Sequence, residues 1–323
     1  MKRILLQTIL FANIAISCNQ NSNSMTPIDQ QVTILEQMAV EMAARFNNYT
    51  EQPMYYLQVN KSACRVIVRV NDIPLGFFFI RDEGQTMLIP INTRIFSSGR
   101  QTFSIDVYPM RDDELIDRDA HVNVRLLRLA NRSLSLNSIE ELMVLNLPID
   151  IGRMELPFYT ASAEFYAHVP FNHNHVLENL KDLRKIRNLE EKVVQRYKEI
   201  RQHLVNYDGV GFERERAFTF YTADRLYLTE DETVNDFLRT FSLFFYPNFF
   251  DRRVLPIENY EMMIVGDGRF VLLRERGTMQ HVLRITYFEN EEEKVENPQN
   301  YWIRRHFILL GMPRDSDRLE MIF

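Results

Sequence analysis

Thr102-Phe103-Ser104-Ile105-Asp106-Val107-Tyr108 is the stretch that decides the fold. Apolar and polar side chains alternate along it, and a strand sends successive side chains to opposite faces. Such a segment is a β-strand with one packed and one polar face. The same period of two precedes it, where Val66, Val68 and Val70 alternate with Arg65, Ile67 and Arg69. It returns where Val122, Val124 and Leu126 alternate with His121, Asn123 and Arg125. Asn71-Asp72-Ile73-Pro74, Asp82-Glu83-Gly84, Ser97-Ser98-Gly99-Arg100 and Tyr108-Pro109 supply turn chemistry between the runs. A last strand, Phe158 to Val169, places Phe165, Ala167 and Val169 on one face and Glu164, Tyr166 and His168 on the other. Short alternating strands at this spacing predict an antiparallel β-sandwich.

Upstream, Thr26-Pro27-Ile28-Asp29 reads as a helix start, and Ile34, Met38, Met42 and Phe46 recur every four residues. This helix and the sandwich make one expected unit, residues 26–170. Downstream, Leu177, Leu180, Leu183, Ile186, Leu189, Val193, Tyr197, Ile200 and Leu204 form a stripe that predicts one long connecting helix from about Asn174 to His203, within a segment 171–207. Asp208-Gly209-Val210-Gly211 breaks it and opens an expected C-terminal α+β domain, residues 208–323. There Thr229-Glu230-Asp231-Glu232 is a capping box before a helix carrying Val234, Phe237, Leu238 and Phe241. Gly266-Asp267-Gly268 joins two alternating runs as a hairpin. Glu291 to Glu296 reads as a solvated loop and Leu319 to Phe323 as a final edge strand. The expected class is mainly β with α+β: a sandwich lobe, a connecting helix and a helix packed on an antiparallel sheet.

Composition narrows the function classes. A formal net charge of −6 argues against nucleic acid as a partner, since phosphate binding needs clustered cations. Only ten glycines stand in 323 residues, so a glycine-rich nucleotide loop finds little material. Gly209-x-Gly211 lacks the third glycine of a dinucleotide loop, and no nucleophile elbow, phosphate loop, zinc-protease or C-x-x-C motif occurs.

The start of the chain gives an address. Lys2-Arg3 precedes an apolar run from Ile4 to Ile16, then Ala15-Ile16-Ser17-Cys18 and the polar stretch Asn19 to Ser24. A basic n-region, a short apolar h-region and small residues before a cut form a secretory signal, too short to span a membrane. The four residues ending at Cys18 resemble the lipobox of bacterial lipoproteins, with Ala15 where leucine is commonest in that family. The resemblance covers residues 1–18 alone. It implies that 1–17 are removed, that Cys18 carries the lipid, that 18–25 form a tether, and that the body is held at a bacterial membrane, facing the periplasm or cell surface. With Cys18 lipidated, Cys64 in its β-branched run is expected as a free, buried thiol.

Sites are sparse. His173 and His175 would share one face of an extended segment, with His168 and His121 as further donors, but a zinc site needs at least three protein ligands and the histidines equally suit a loop before a helix. Asp112, Asp113, Glu114, Asp117 and Asp119 lack the glycine and terminal glutamate of a calcium loop. No metal and no cofactor is therefore expected. The densest aromatic run, Phe244 to Phe250, packs a core or, if exposed, offers Tyr246 and Phe249 to a partner. The expected role is a non-catalytic protein-binding module with an envelope protein as partner, one concrete form being an immunity-type inhibitor. The alternative is an envelope-polymer hydrolase or scaffold. A polar cleft would favour the enzyme and an apolar patch rimmed by charge the binder.

Overall fold

Among the described residues, eight strands build the first lobe: β1 (Met54–Ser62), β2 (Arg65–Val70), β3 (Ile73–Pro74), β4 (Gln85–Pro90), β5 (Ser97–Tyr108), β6 (His121–Leu129), β7 (Glu140–Asn146) and β8 (Tyr159–Asn172). The computed structural model describes residues 27–44, 49–75, 84–217, 227–245 and 249–322. Two four-stranded antiparallel sheets, ordered β4-β1-β6-β7 and β3-β2-β5-β8, face each other as a sandwich. The alternation places the core as expected: Val66, Val68, Val70, Phe103, Ile105, Val107, Val122, Val124 and Leu126 are all buried together. Each such side chain contributes about 1.5–3 kcal/mol through the area it removes from water.

Two local readings change. Ser97 to Arg100 is not a turn but the first part of β5, with the ladder to β8 irregular between Ser97 and Gly99. Gly99 has φ 127°, which explains the glycine: the irregularity needs a backbone that side-chain-bearing residues avoid. Ile67, on the outer face of β2, is fully buried because the second lobe crosses that face, with Arg65 Nη1 donating to the Gly277 carbonyl at 3.0 Å.

The second lobe joins helices to two smaller antiparallel sheets. Its helices are α1 (Ile28–Ala43), α2 (Asn174–Glu178), α3 (Leu189–Val205), α4 (Gly209–Ala217), α5 (Glu230–Phe244) and α6 (Glu291–Glu296). Its strands are β9 (Phe250–Val254), β10 (Tyr260–Val265), β11 (Phe270–Glu275), β12 (Leu283–Phe288), β13 (Trp302–His306), β14 (Leu310–Gly311) and β15 (Glu320–Met321). The sheets run β10-β11-β14-β15 and β13-β12-β9. The capping box at Thr229 and Glu232 is formed, and β15 is the edge strand expected at the end. The architecture is thus β-rich α+β. Among the described residues, no helix is long and apolar enough to cross a membrane.

Three sequence readings of this half are corrected. The helix expected over 174–203 is α2, a single 3₁₀ turn at Leu183–Lys185, and α3. Its middle leaves the helical ladder because its amides find remote carbonyls: Lys181 N donates to Met312 O and Leu183 N to Gly268 O, both at 2.8 Å. The stripe on α3 does pack inside the chain, with Val193, Tyr197, Ile200 and Leu204 in the second lobe's core. The first helix belongs to that core as well, rather than to the sandwich, through Leu35, Met38, Ala39 and Met42. There Gln31 donates to Tyr207 O at 3.0 Å and accepts from Gly209 N at 2.9 Å. Glu291 to Glu296 is a short helix, not a loop, capped by Asn290.

A third cluster welds the lobes. Ile73 and Phe96 of the sandwich pack with Val265, Phe270, Leu272, Leu309 and Ile322, and the Phe96 and Phe270 rings stack at 6.4 Å.

Candidate functional site

Strand register brings the ends of β5 and β7 and the starts of β6 and β8 to one tip of the sandwich. Residues 109–120 link β5 to β6, and residues 147–158 link β7 to β8. Each loop is pinned by a buried isoleucine, Ile116 in one and Ile151 in the other. Ile116 N donates to Leu156 O at 2.8 Å, which ties the loops together. Gly152 is needed at the seam: a Cβ there would strike the Asp117 carbonyl and the Arg118 backbone. Turns at Asp117–Ala120, Pro148–Ile151 and Asp150–Arg153 add local backbone hydrogen bonds.

This frame presents four exposed apolar side chains, Leu115, Ile149, Met154 and Phe158, with Ile149 fully in solvent. Phe158 keeps one side against Tyr108, their rings 5.1 Å apart. Seven carboxylates and three arginines occupy the two loops. The tip is therefore apolar, strongly acidic and pre-shaped. Loops tied in this way lose little conformational entropy on docking.

The residues singled out from sequence fare differently. Phe249 is half-buried and stacked on Tyr287 at 4.1 Å, packed against the second lobe's core rather than offered to a partner. Tyr246 and Cys18 lie outside the described residues. His173 and His175 stand edge to face at 6.0 Å, and His173 stacks on Phe171 at 5.0 Å. Burial, then the neighbouring His175, holds His173 below its ordinary pKa. His168 instead faces Glu51 at 3.4 Å. Among the described residues, no group of three or more His, Cys, Asp or Glu side chains is arranged to hold a metal ion.

Cys64 is buried, and burial pushes its thiol up to about 11, against the opposing pull of Lys61. A thiolate reagent therefore labels the native protein slowly and the unfolded protein fast; rapid native labelling would contradict this burial.

Three concavities open on the second lobe. Two grooves along α3, of about 430 and 630 Å³, and a cleft of about 300 Å³ beside β9 have no Ser, Cys or His in their walls. Beside the first groove lies a charged array that sequence reading missed. Arg196 donates to Leu319 O, Glu199 and Glu215. Glu215 lies 3.6 Å from His203 Nε2, and His203 Nδ1 lies 2.8 Å from Asp208. The array joins α3, α4 and the C-terminal segment, and its members have their hydrogen bonds in one another. Comparison with protein-family models, curated proteins and solved structures finds no match to this chain.

Proposed function

We propose that this chain is a lipid-anchored envelope protein whose sandwich tip docks a protein partner without catalysis, as an immunity-type inhibitor would. The observation that carries the docking reading is that two loops tied together at one end of the sandwich expose four apolar side chains, Leu115, Ile149, Met154 and Phe158, and carry seven carboxylates. This chemistry selects one kind of occupant, a protein with an apolar pocket bordered by lysine and arginine. Opposed charge steers such a partner in, and the apolar side chains hold it. An anionic membrane surface is a poor alternative, because the carboxylates would be repelled. The lipobox-like Ala15-Ile16-Ser17-Cys18 supports the anchor.

The test uses the full chain in its native envelope. Intact mass of the membrane form is expected to show an acylated Cys18 as first residue, and Cys18→Ala to release the protein or leave the precursor uncut. Ile149→Asp costs the fold little, its side chain being wholly in solvent, but should lower affinity for the co-purifying partner by at least about tenfold. Association should also slow as salt rises. Undiminished capture by Ile149→Asp and by Met154→Asp would remove the tip from the proposal. An unmodified N-terminus elsewhere would remove the anchor.

A further inference from the structure

In the second lobe, the outer face of the β13-β12-β9 sheet holds an electrostatic conflict. Arg284 of β12 and Arg305 of β13 are direct cross-strand partners. Like charges so placed destabilise a sheet. Glu275 answers Arg284 at 2.9 Å. Glu275 and Tyr301 also favour the Arg305 charge, but the Nε atoms of both arginines are buried without a partner. Burial, and then Arg284, hold the Arg305 guanidinium below its ordinary pKa. Buried, unsatisfied N–H donors on opposed cations cost free energy that a bound anion would return.

Two residues further along the same face of β12 stands Thr286, on the floor of the 300 Å³ cleft. Phe288 and the half-exposed Tyr301 form apolar walls. Asp251 holds Arg253 at 2.7 Å and Lys294 at 2.9 Å across the opening. Four cations (Arg253, Arg284, Lys294, Arg305) stand against two directly paired carboxylates (Asp251, Glu275). The volume is at the small end for ligand pockets and suits a single ring.

We propose that this face binds a sugar ring carrying one anionic group, a phosphate or a carboxylate. The anion sits between Arg284 and Arg305, the ring lies over Thr286 against Tyr301, and ring hydroxyls meet Asp251 and Arg253. Tyrosine suits this wall, giving an apolar face and a polar edge. The site stands on residues separate from the sandwich tip and is independent of the docking reading.

The protein carries its own reporter, since Trp302 is the single tryptophan and its indole donates to Glu293 at 3.0 Å, on the helix that supplies Lys294. The full chain is titrated at low ionic strength with glucose 6-phosphate, with glucuronate, with glucose and with inorganic phosphate, by Trp302 fluorescence and by calorimetry. Saturable binding of at least one anionic sugar is expected, about tenfold or more tighter than glucose or inorganic phosphate, because neither of these fills both halves of the site. Which anionic sugar binds identifies the anion. Arg305→Gln and, as a second variant at an exposed position, Tyr301→Ala should each weaken binding about tenfold. The proposal fails if neither anionic sugar binds by calorimetry up to ~10 mM, a limit near the weakest useful affinity. It fails equally if inorganic phosphate binds as tightly as the sugars, or if Tyr301→Ala binds unchanged.

Discussion

Replacing Arg196 with methionine is expected to destabilise the protein by about 3–5 kcal/mol, the cost of breaking a buried ion pair from one side. Arg196 is only 3 % exposed, and its guanidinium serves the Leu319 carbonyl, Glu199 and Glu215 together. Burial acts to raise the Glu215 carboxyl, yet Arg196, Arg318 and His203 hold it below its ordinary pKa. Without Arg196 the carboxylate loses its main partner and the C-terminal segment its tie to α3. Chemical denaturation of the single variants and of Arg196→Met/Glu215→Leu separates the two contributions. The double variant should recover much of the loss, because an apolar pair leaves no buried charge. A single variant within about 0.5 kcal/mol of the parent would show that the array holds nothing together.

Acid should weaken the protein well before its carboxylates protonate. His306 is 7 % exposed, stands between the rings of Phe212 and Phe244, and has an Nε2 without a partner. Burial, then Arg216, His281 and Arg252, lower its pKa to about 3. The folded state thus holds a neutral imidazole, while the unfolded chain takes up a proton below about pH 6.5. Since the unfolded state binds more protons between those values, stability rises with pH there and falls by up to about 1.4 kcal/mol per unit on acidification. From pH 7 to pH 5 the expected loss is about 2 kcal/mol. Urea denaturation at both pH values checks it, and His306→Phe should flatten the slope across this window. An unchanged slope in that variant would assign the acid sensitivity to other groups.

What was legible in the sequence follows from where information is periodic. The strands β5 and β8 were readable because their inward residues, Phe103 or Phe165 and those two and four further on, recur at the strand period and are buried. Glu164, Tyr166 and His168 stand outside, as the alternation requires. The break in the long helix was hidden because Leu177 to Leu204 keep a helical spacing while Lys181 and Leu183 spend their amides on residues about 85 to 131 positions away. An apolar stripe states that a helix has a buried face, not which core receives it, so the place of α1 was beyond the sequence. The aromatic run was ambiguous for the same reason, and Tyr287 decided Phe249. At the tip the acidic run from Asp112 to Asp119 was visible, but Leu115, Ile149, Met154 and Phe158 were not, because they sit in loops where no period exists and only strand register brings the two loops to one end. The conflict of Arg284 and Arg305 needed the register as well.

The seating of α1 against α5 bears on the order in which a ribosome could deliver a finished molecule. Strands β1 to β8 hold all they need for their own sheets once β8 has emerged, and they can close early. The helix that leads them cannot settle then, for Gln31 waits on Tyr207 and Gly209, 176 and 178 residues later. Until α5 and the last strands arrive, Leu35, Met38 and Met42 have no home and stay open to wrong company. Contacts this remote make for slow closure. A nascent chain halted after β8 should accordingly resist protease across the sandwich while α1 is cut, and α1 should gain protection only when the second lobe is complete.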